Sequence, residues 1–302
     1  MKTMRMLKLM PALLLAGLLI PAKAQDADTL WKYSGLSALN LSQLSLSNWA
    51  AGGDNSLSGN VLLQLSANYD NGTLNWNNDL NLGYGLIRQG EDPTRKSDDK
   101  IDFSSKLGFK AGGKWSYTGL LSFRTQFAPG YDKPGDADRN KISNFMAPGY
   151  LNISAGMDYK PSEVFSLFLS PVTGKFTFVK DEELATAGAF GVEPGKNARA
   201  ELGGYLKLGL KKEILKNVLL DTKIDLFSNY LENPQYIDVN WDLLLSFKIN
   251  EYLSASLVTQ MIYDRDIEFA YDSNNDGELD SSEPRLQFKE LFGLGLTYNF
   301  KK

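Results

Sequence analysis

Hydrophobic and polar side chains alternate with a period of two along most of this chain. In segment 73–87, for example, Leu74, Trp76 and Leu80 alternate with Asn75 and Asp79. Successive side chains of a strand point to opposite faces, so this pattern predicts strands with one apolar and one polar face. Twelve such segments are predicted, and they cover residues 36–47, 56–69, 73–87, 100–111, 114–127, 150–160, 164–172, 199–211, 218–230, 236–249, 252–263 and 285–300.

The lengths of the connections indicate how these strands are joined. Short connections follow the second, fourth, sixth, eighth and tenth segments, long polar ones follow the third, fifth, seventh and eleventh, and the other two are of middle length. An even strand number with short turns on one side and long loops on the other is typical of outer-membrane proteins. We therefore predict an all-β fold, a closed antiparallel transmembrane β-barrel of about twelve strands with up-and-down topology. Its last strand pairs with its first, and both chain ends lie on the periplasmic side.

Alternation alone does not show which face is outside, because a soluble sandwich alternates too. The polar face carries charges of both signs, which a soluble core would not bury, and Tyr and Trp cluster near the segment ends, as interfacial girdles require. We therefore expect the apolar face to contact lipid. Glu290 lies on that face, so we place it at the outer interface and the last membrane span at 291–300. The charged residues expected in the lumen are Asp79, Asp102, Lys106, Arg124, Asp158, Arg199, Glu201, Lys207, Asp221, Lys223, Asp225, Asp238 and Asp242.

The N-terminus has the features of a secretory signal peptide. A basic front containing Lys2, Arg5 and Lys8 precedes the apolar run 9–20, and a small-residue cleavage site follows at 22–24. The alternative is an N-terminal membrane anchor, but the apolar run is shorter than the about 20 residues that cross a bilayer. We predict a signal peptide over residues 1–24, a short periplasmic segment over 25–35 and the barrel over 36–302.

Composition excludes several classes of function. The chain has no His and no Cys, which removes Ser-His-Asp and Cys-His catalysis, imidazole zinc sites and a disulfide framework. Without residues 1–24, 28 basic residues (32 minus four) face 36 acidic ones, a balance that disfavours nucleic-acid binding. We expect no enzymatic activity. A hydrolase that uses only carboxylates is the alternative, but no Asp or Glu pair stands out.

One loop has the spacing of a calcium site. Residues 272–283 read DSNNDGELDSSE, which matches the twelve-residue pattern of calcium-binding loops. Calcium takes six to eight hard oxygen ligands, and the flanks of this loop are strand ends rather than helices, so we predict a calcium loop outside the EF-hand fold. The alternative is a solvated acidic loop. The expected ligands are Asp272, Asn274, Asp276, Glu278 through its carbonyl, Asp280 and Glu283.

Two stretches suggest a family. The stretch NWAAGG at 48–53 and the aromatic closing strand together resemble a Bacteroidota family of outer-membrane barrels of unknown function. The resemblance covers nearly all of the chain after residue 24 and implies an outer-membrane barrel without an assigned activity. The closing strand also looks like the signal that the barrel-assembly machinery reads, although Lys301 and Lys302 follow its last aromatic residue.

Two functions remain open from the sequence. The first is a porin-like channel for small solutes with a calcium-stabilised extracellular loop. The alternative is a non-conducting structural or interaction barrel that binds a surface or outer-membrane protein through its long loops. Twelve strands lie between the filled eight-stranded and the open sixteen-stranded barrels, so the charged lumen is compatible with either a selective pore or a salt-bridged filling. The lipid bilayer is the partner that both functions require.

Overall fold

Twelve long strands and two small hairpins make up most of the structure. It is a computed structural model that describes residues 30–46, 54–133, 135, 138–274 and 280–301, of which those from Trp31 onward belong to one compact unit. The long strands are β1 (Trp31–Leu44), β2 (Ser56–Asp70), β3 (Leu74–Gln89), β4 (Arg95–Gly112), β5 (Trp115–Thr125), β8 (Gly149–Tyr159), β9 (Phe165–Phe178), β10 (Ala198–Leu215), β11 (Val218–Asn229), β12 (Ile237–Lys248), β13 (Leu253–Tyr263) and β16 (Gln287–Lys301). The hairpins pair β6 (Gly130–Tyr131) with β7 (Lys141–Ser143) and β14 (Glu268–Tyr271) with β15 (Ser281–Pro284).

The long strands close into a barrel. Each pairs antiparallel with its neighbours, in the order β1-β16-β13-β12-β11-β10-β9-β8-β5-β4-β3-β2. Closure comes from β1 and β16, where Leu39 lies opposite Leu296. The predicted fold class, the strand number and the pairing of the last strand with the first are therefore confirmed. The signal peptide predicted over 1–24 lies outside the described residues.

Several strands extend further than the apolar alternation indicated. β1 begins at Trp31, which pairs with Tyr69, so residues 31–35 belong to the first strand and not to the periplasmic segment predicted there. β3 and β4 form a long hairpin whose loop is only 90–94, and β9 runs to Phe178, six residues past its predicted end at 172. The outward extensions of β4 and β9 are polar or irregular in sequence because they have left the apolar part of the bilayer.

Burial is inverted relative to a soluble protein. Along β16 the large apolar side chains are exposed, with Phe292 67% exposed, whereas polar residues such as Thr173 (0%) are buried. A continuous exposed apolar face on a closed barrel is what a lipid bilayer requires. Two tryptophan N–H groups on this face donate to hydroxyls of neighbouring strands, Trp76 at 2.9 Å from Ser105 and Trp241 at 2.7 Å from Thr222. The chain is therefore a membrane-spanning barrel of the outer-membrane type.

Glu290 is exposed on the apolar face, as its position in the sequence required. The ten residues from Leu291 to Phe300 rise about 33 Å along a strand, at about 3.3 Å per residue. A tilt of about 40° reduces this to about 25 Å of height, which equals the apolar band of such barrels. With Phe300 placed at the inner interface, this height predicts Glu290 at the outer one, where a carboxylate would meet headgroups and water.

The loop between β9 and β10 forms a small folded unit at the outer end. It contains helix α1 (Glu182–Thr186), capped by Asp181, and a short 3-10 helix (Ala189–Gly191). Among the described residues no helix is both long and apolar enough to cross a membrane. A compact apolar cluster anchors this loop to the one between β5 and β8, and it comprises Ala147, Val179, Leu184, Ala185 and Val192.

Candidate functional site: the barrel lumen

Ion pairs cross the barrel at one level of the lumen. The guanidinium of Arg124, on β5, lies 3.1 Å from Asp102 on the neighbouring β4. It also reaches Asp242 on β12 at 3.4 Å and Asp225 on β11 at 3.9 Å, although neither strand is adjacent to β5. A side chain that bridges non-adjacent strands of a closed barrel must pass through its interior.

Two lysines complete this layer. Lys100 on β4 lies 3.0 Å from Asp242 and 3.7 Å from Asp102, and Lys207 on β10 lies 3.1 Å from Asp225. Three cations therefore face three carboxylates, and the layer is electrically balanced. We call Lys100, Asp102, Arg124, Lys207, Asp225 and Asp242 the lumenal ion-pair layer.

Another group of charges lies at the outer end of the lumen. Lys175 on β9 contacts Asp238 at 2.6 Å and Asp264 at 3.5 Å. Arg199 on β10 contacts Asp266 at 2.6 Å, and also Glu232 at 3.3 Å in the loop between β11 and β12. Because Asp264 and Asp266 belong to the loop after β13, these pairs join two outer loops to the barrel wall.

The other predicted lumenal residues also have partners, with one exception. Lys106 lies 2.6 Å from Asp158 and Lys211 lies 3.2 Å from Asp221. Glu201 contacts both Lys175 and Arg199 at 3.5 Å, and Asp79 accepts a hydrogen bond from Ser66 at 2.6 Å. Within the described part of the chain, the Lys223 side chain has no ion-pair partner within 4.0 Å and no hydrogen bond.

An aromatic cluster inside the lumen was missed by the sequence reasoning. Phe168 is 1% exposed and packs with Leu120, Tyr205 and Phe227. The Tyr205 hydroxyl donates to Asp225 at 2.9 Å, which links this cluster to the lumenal ion-pair layer. The sequence did contain a signal for this cluster, because all four residues lie on the polar parity of their strands. A large apolar side chain on that parity points into the lumen. The lumen is thus filled by apolar as well as charged groups along β5, β9, β10 and β11.

A small cavity lies on the opposite side of the lumen. A cavity of about 110 Å³ lies among β1–β4, β11–β13 and β16. This is less than the 150 Å³ of an engineered cavity that holds one benzene molecule. Larger cavities of about 220 and 730 Å³ lie at the outer end of the lumen, beside Arg199 and Asp266.

The predicted calcium ligands are only partly brought together. β14 and β15 pair Tyr271 with Ser281, so Asp272 and Asp280 lie at the same end of the hairpin. The backbone N–H and the hydroxyl of Ser273 both donate to Asp280. These two hydrogen bonds, the backbone one contributing more, hold the pKa of the Asp280 carboxyl below its usual range. Glu283 lies further down the hairpin, opposite Phe269, and its carboxylate contacts Arg285 at 2.9 Å.

The other predicted ligands of this loop are Asn274, Asp276 and Glu278. The Asn274 N–H donates to Asp272 at 3.1 Å, whereas Asp276 and Glu278 lie outside the described residues. Over the described residues, which omit 275–279, no group of three or more Asp or Glu side chains is arranged to hold a metal ion.

Comparisons with known proteins find a family model that matches part of the chain. The sequence model of a protein family of unknown function, DUF3078, matches residues 41–131. The NWAAGG stretch at 48–53 lies outside the described residues. A search of curated protein sequences finds no match.

Solved structures with a similar course of the chain are all distant. The COG4313 outer membrane channel from Pseudomonas putida F1 is 10% identical with a TM-score of 0.39, covering 93% of this chain and 99% of its own. The translocator domain of the autotransporter NalP from Neisseria meningitidis is 10% identical with a TM-score of 0.37, covering 91% and 90%. The Pseudomonas putida toluene transporter TodX is 10% identical with a TM-score of 0.30, covering 89% and 88%. Similarity at this level carries no inference about function.

Proposed function

We propose that this barrel is a gated small-solute channel of the outer membrane, closed at rest by the lumenal ion-pair layer. The observation that carries the proposal is Arg124, whose guanidinium lies within 4.0 Å of carboxylates on three strands around the lumen. Export by the signal peptide at 1–24 and insertion by the barrel-assembly machinery belong to the same proposal. It assigns no catalytic activity to the chain, which has neither His nor Cys.

The chemistry of the filling favours a gate over a permanent plug. A buried ion-pair cluster gives little or no net stability compared with apolar residues of equal volume, because desolvation offsets the Coulomb attraction. The lumen already contains such apolar filling around Phe168. Charges that only filled space could therefore be replaced without loss, whereas ion pairs that separate and become hydrated would open a polar path.

The proposal is tested by liposome swelling with sugars and amino acids of increasing size. We expect slow swelling with the wild-type protein and faster swelling with Arg124→Gln, because three carboxylates then share two lysines and draw water into the lumen. Arg139→Gln is the matched control, since Arg139 lies over the Tyr131 ring in an outer hairpin, 4.3 Å from its centroid. Heat-modifiable electrophoretic mobility would verify that each variant folds. Swelling of folded Arg124→Gln as slow as that of the wild type would contradict the gate.

We propose in addition that the loop 272–283 binds calcium. Support comes from the twelve-residue spacing and from the hairpin, which holds Asp272 and Asp280 at one end. Glu283 would have to exchange its contact with Arg285 for the ion. Calcium is expected to raise the melting temperature of the wild type but not of Asp272→Ala/Glu283→Ala. Glu193→Ala, in the loop between β9 and β10, is the control. An unchanged melting temperature of the wild type would exclude the site.

A second candidate is an interaction barrel whose outer loops form a docking platform. Lys141 and Asn144 donate to Asp181 at 2.9 and 2.8 Å, which fastens the loop before β8 to the loop before β10. Loops fixed in this way offer a preorganised surface. Cross-linking in native outer membranes distinguishes the two functions: a specific partner that is lost with Asp181→Ala, together with slow swelling of Arg124→Gln, would favour the interaction barrel.

A further inference from the structure

The lumenal cavity has two chemically different walls. Its apolar wall comes from β1, β2, β12 and β13 and includes Leu36, Leu62, Leu244 and Val258. These residues lie on the lumenal parity, as Leu36 opposite Gln64 shows. The other wall carries charged side chains of β4, β11, β12 and β16. A site with one apolar and one charged wall is suited to a small amphipathic molecule.

Lys223 differs from the other lysines of this cavity in its contacts. Lys100 pairs with Asp242 at 3.0 Å, and Lys289 pairs with Asp98 at 2.6 Å. The two other carboxylates of the wall are also paired, Asp102 with Arg124 and Asp221 with Lys211. Within the described residues, Lys223 is thus the lysine of the wall that has no carboxylate within 4.0 Å. A partly buried ammonium that no carboxylate contacts is left with unused donors, and a monoanion in the cavity would bind them directly.

The size of the cavity limits the anion. An apolar cavity of 150 Å³ holds benzene, with its six carbon atoms. By proportion, about 110 Å³ accommodates about four to five non-hydrogen atoms. Propionate has that size and carries an ethyl group for the apolar wall, whereas chloride has no apolar part and hexanoate is too long.

We propose that this cavity is a binding site for a short monocarboxylate of two or three carbon atoms, with its carboxylate on the Lys223 ammonium and its alkyl group against Leu62 and Val258. A carboxylate on an ammonium forms charge-assisted hydrogen bonds, which are the stronger class in proteins. The site goes beyond the proposed gating, because binding requires no conduction. Detergent-solubilised protein therefore tests it separately from any swelling or conductance result.

Saturation-transfer NMR on the folded wild-type protein, with sodium propionate as the probe, tests the site. We expect saturable binding that propylammonium, of similar shape but opposite charge, does not displace. Acetate should compete more weakly than propionate because it leaves the apolar wall uncovered, and chloride more weakly still. Absence of saturable binding, or competition by chloride as strong as by propionate, would overturn the proposal.

Three variants localise the binding. Lys223→Gln is expected to weaken propionate binding about tenfold or more, the effect of losing a charged hydrogen bond. Val258→Phe should abolish binding by filling the cavity while leaving every charge in place. Lys216→Gln removes an exposed lysine in the turn before β11 and should bind like the wild type. Undiminished binding by folded Lys223→Gln would refute the assignment of the carboxylate to Lys223.

Discussion

The ion pairs of Arg124 make a quantitative prediction about coupling between residues on different strands. We consider Arg124→Gln, Asp102→Asn and the double variant, whose free energies of unfolding form a thermodynamic cycle. The pair is 3.1 Å apart, and its side chains are 25% and 19% exposed. If the lumen is closed and largely dry, each single change leaves an uncompensated charge, and the double change restores balance.

The magnitude follows from the distance. Coulomb's law at 3.1 Å with an effective dielectric constant of about 20 gives about 5 kcal/mol as an upper limit. Lys100 also lies 3.7 Å from Asp102 and compensates for part of the loss of Arg124. Measured coupling energies for contacting groups in such networks are about 0.5–3 kcal/mol. We therefore expect about 1–3 kcal/mol of coupling for this pair and less for Asp225, which lies 3.9 Å from Arg124.

The assay is urea unfolding of the barrel from phospholipid vesicles, followed by the fluorescence of its five tryptophans. Asp79→Asn combined with Arg124→Gln serves as the control cycle. Asp79 is a lumenal carboxylate bound by Ser66, with no ion pair to Arg124, so the two changes should be additive within about 0.5 kcal/mol. Additivity of the Arg124 and Asp102 changes would mean that water screens the layer, and it would refute a closed lumen.

Three other predictions concern the outer loops, the strand packing and the membrane register. Hydrogen bonds from Asn144 first, and then from Lys141, hold the pKa of Asp181 below its ordinary value of 3.8. The stabilisation of the loop by this carboxylate is present above the unfolded-state pKa and is lost as pH falls through the folded-state pKa. In NMR the first-turn amide signal of α1 should therefore titrate below pH 3.8 in the wild type and not at all in Asp181→Asn. Gly156→Ala should abolish the heat-modifiable folded form, because the added Cβ would overlap the backbone of β9. Gly119→Ala has open space around the added Cβ and should fold normally. Equal folding of the two variants would contradict the close approach of β8 and β9 at Gly156. Leu294→Lys should lower the free energy of unfolding from vesicles by about 2–4 kcal/mol, because it places a charge in the apolar band, and Glu290→Lys should lower it by about 0–1 kcal/mol at the interface. Equal losses of free energy would show that the membrane register of β16 is wrong.

The architecture was readable from the sequence because the bilayer imposes a simple rule. Segments such as 285–300 must be apolar on one face, and this alternation located all twelve barrel strands and their pairing order. The rule ends where the bilayer ends. The outward part of β9 from Thr173 to Phe178 pairs with neighbouring strands above the apolar band, where alternation is not required. Its length could not be read from hydrophobicity.

The site was less predictable because it depends on barrel closure. Arg124 and Asp225 were both placed in the lumen by parity, but their contact joins positions about one hundred residues apart on non-adjacent strands. Such a contact is set by strand tilt and stagger, which no local spacing reveals. The Phe168 and Tyr205 side chains could have been identified from their position on the polar face, where an aromatic residue must fill the lumen.

Planar-bilayer recording of the wild-type protein tests the central claim, that the lumen is closed at rest. At low transmembrane voltage we predict no conductance steps, because the lumenal ion-pair layer and the cluster around Phe168 cross and fill the middle of the lumen. Steps should appear in the same lipid with Arg124→Gln. A steady open conductance of the unmodified protein at low voltage would contradict the account.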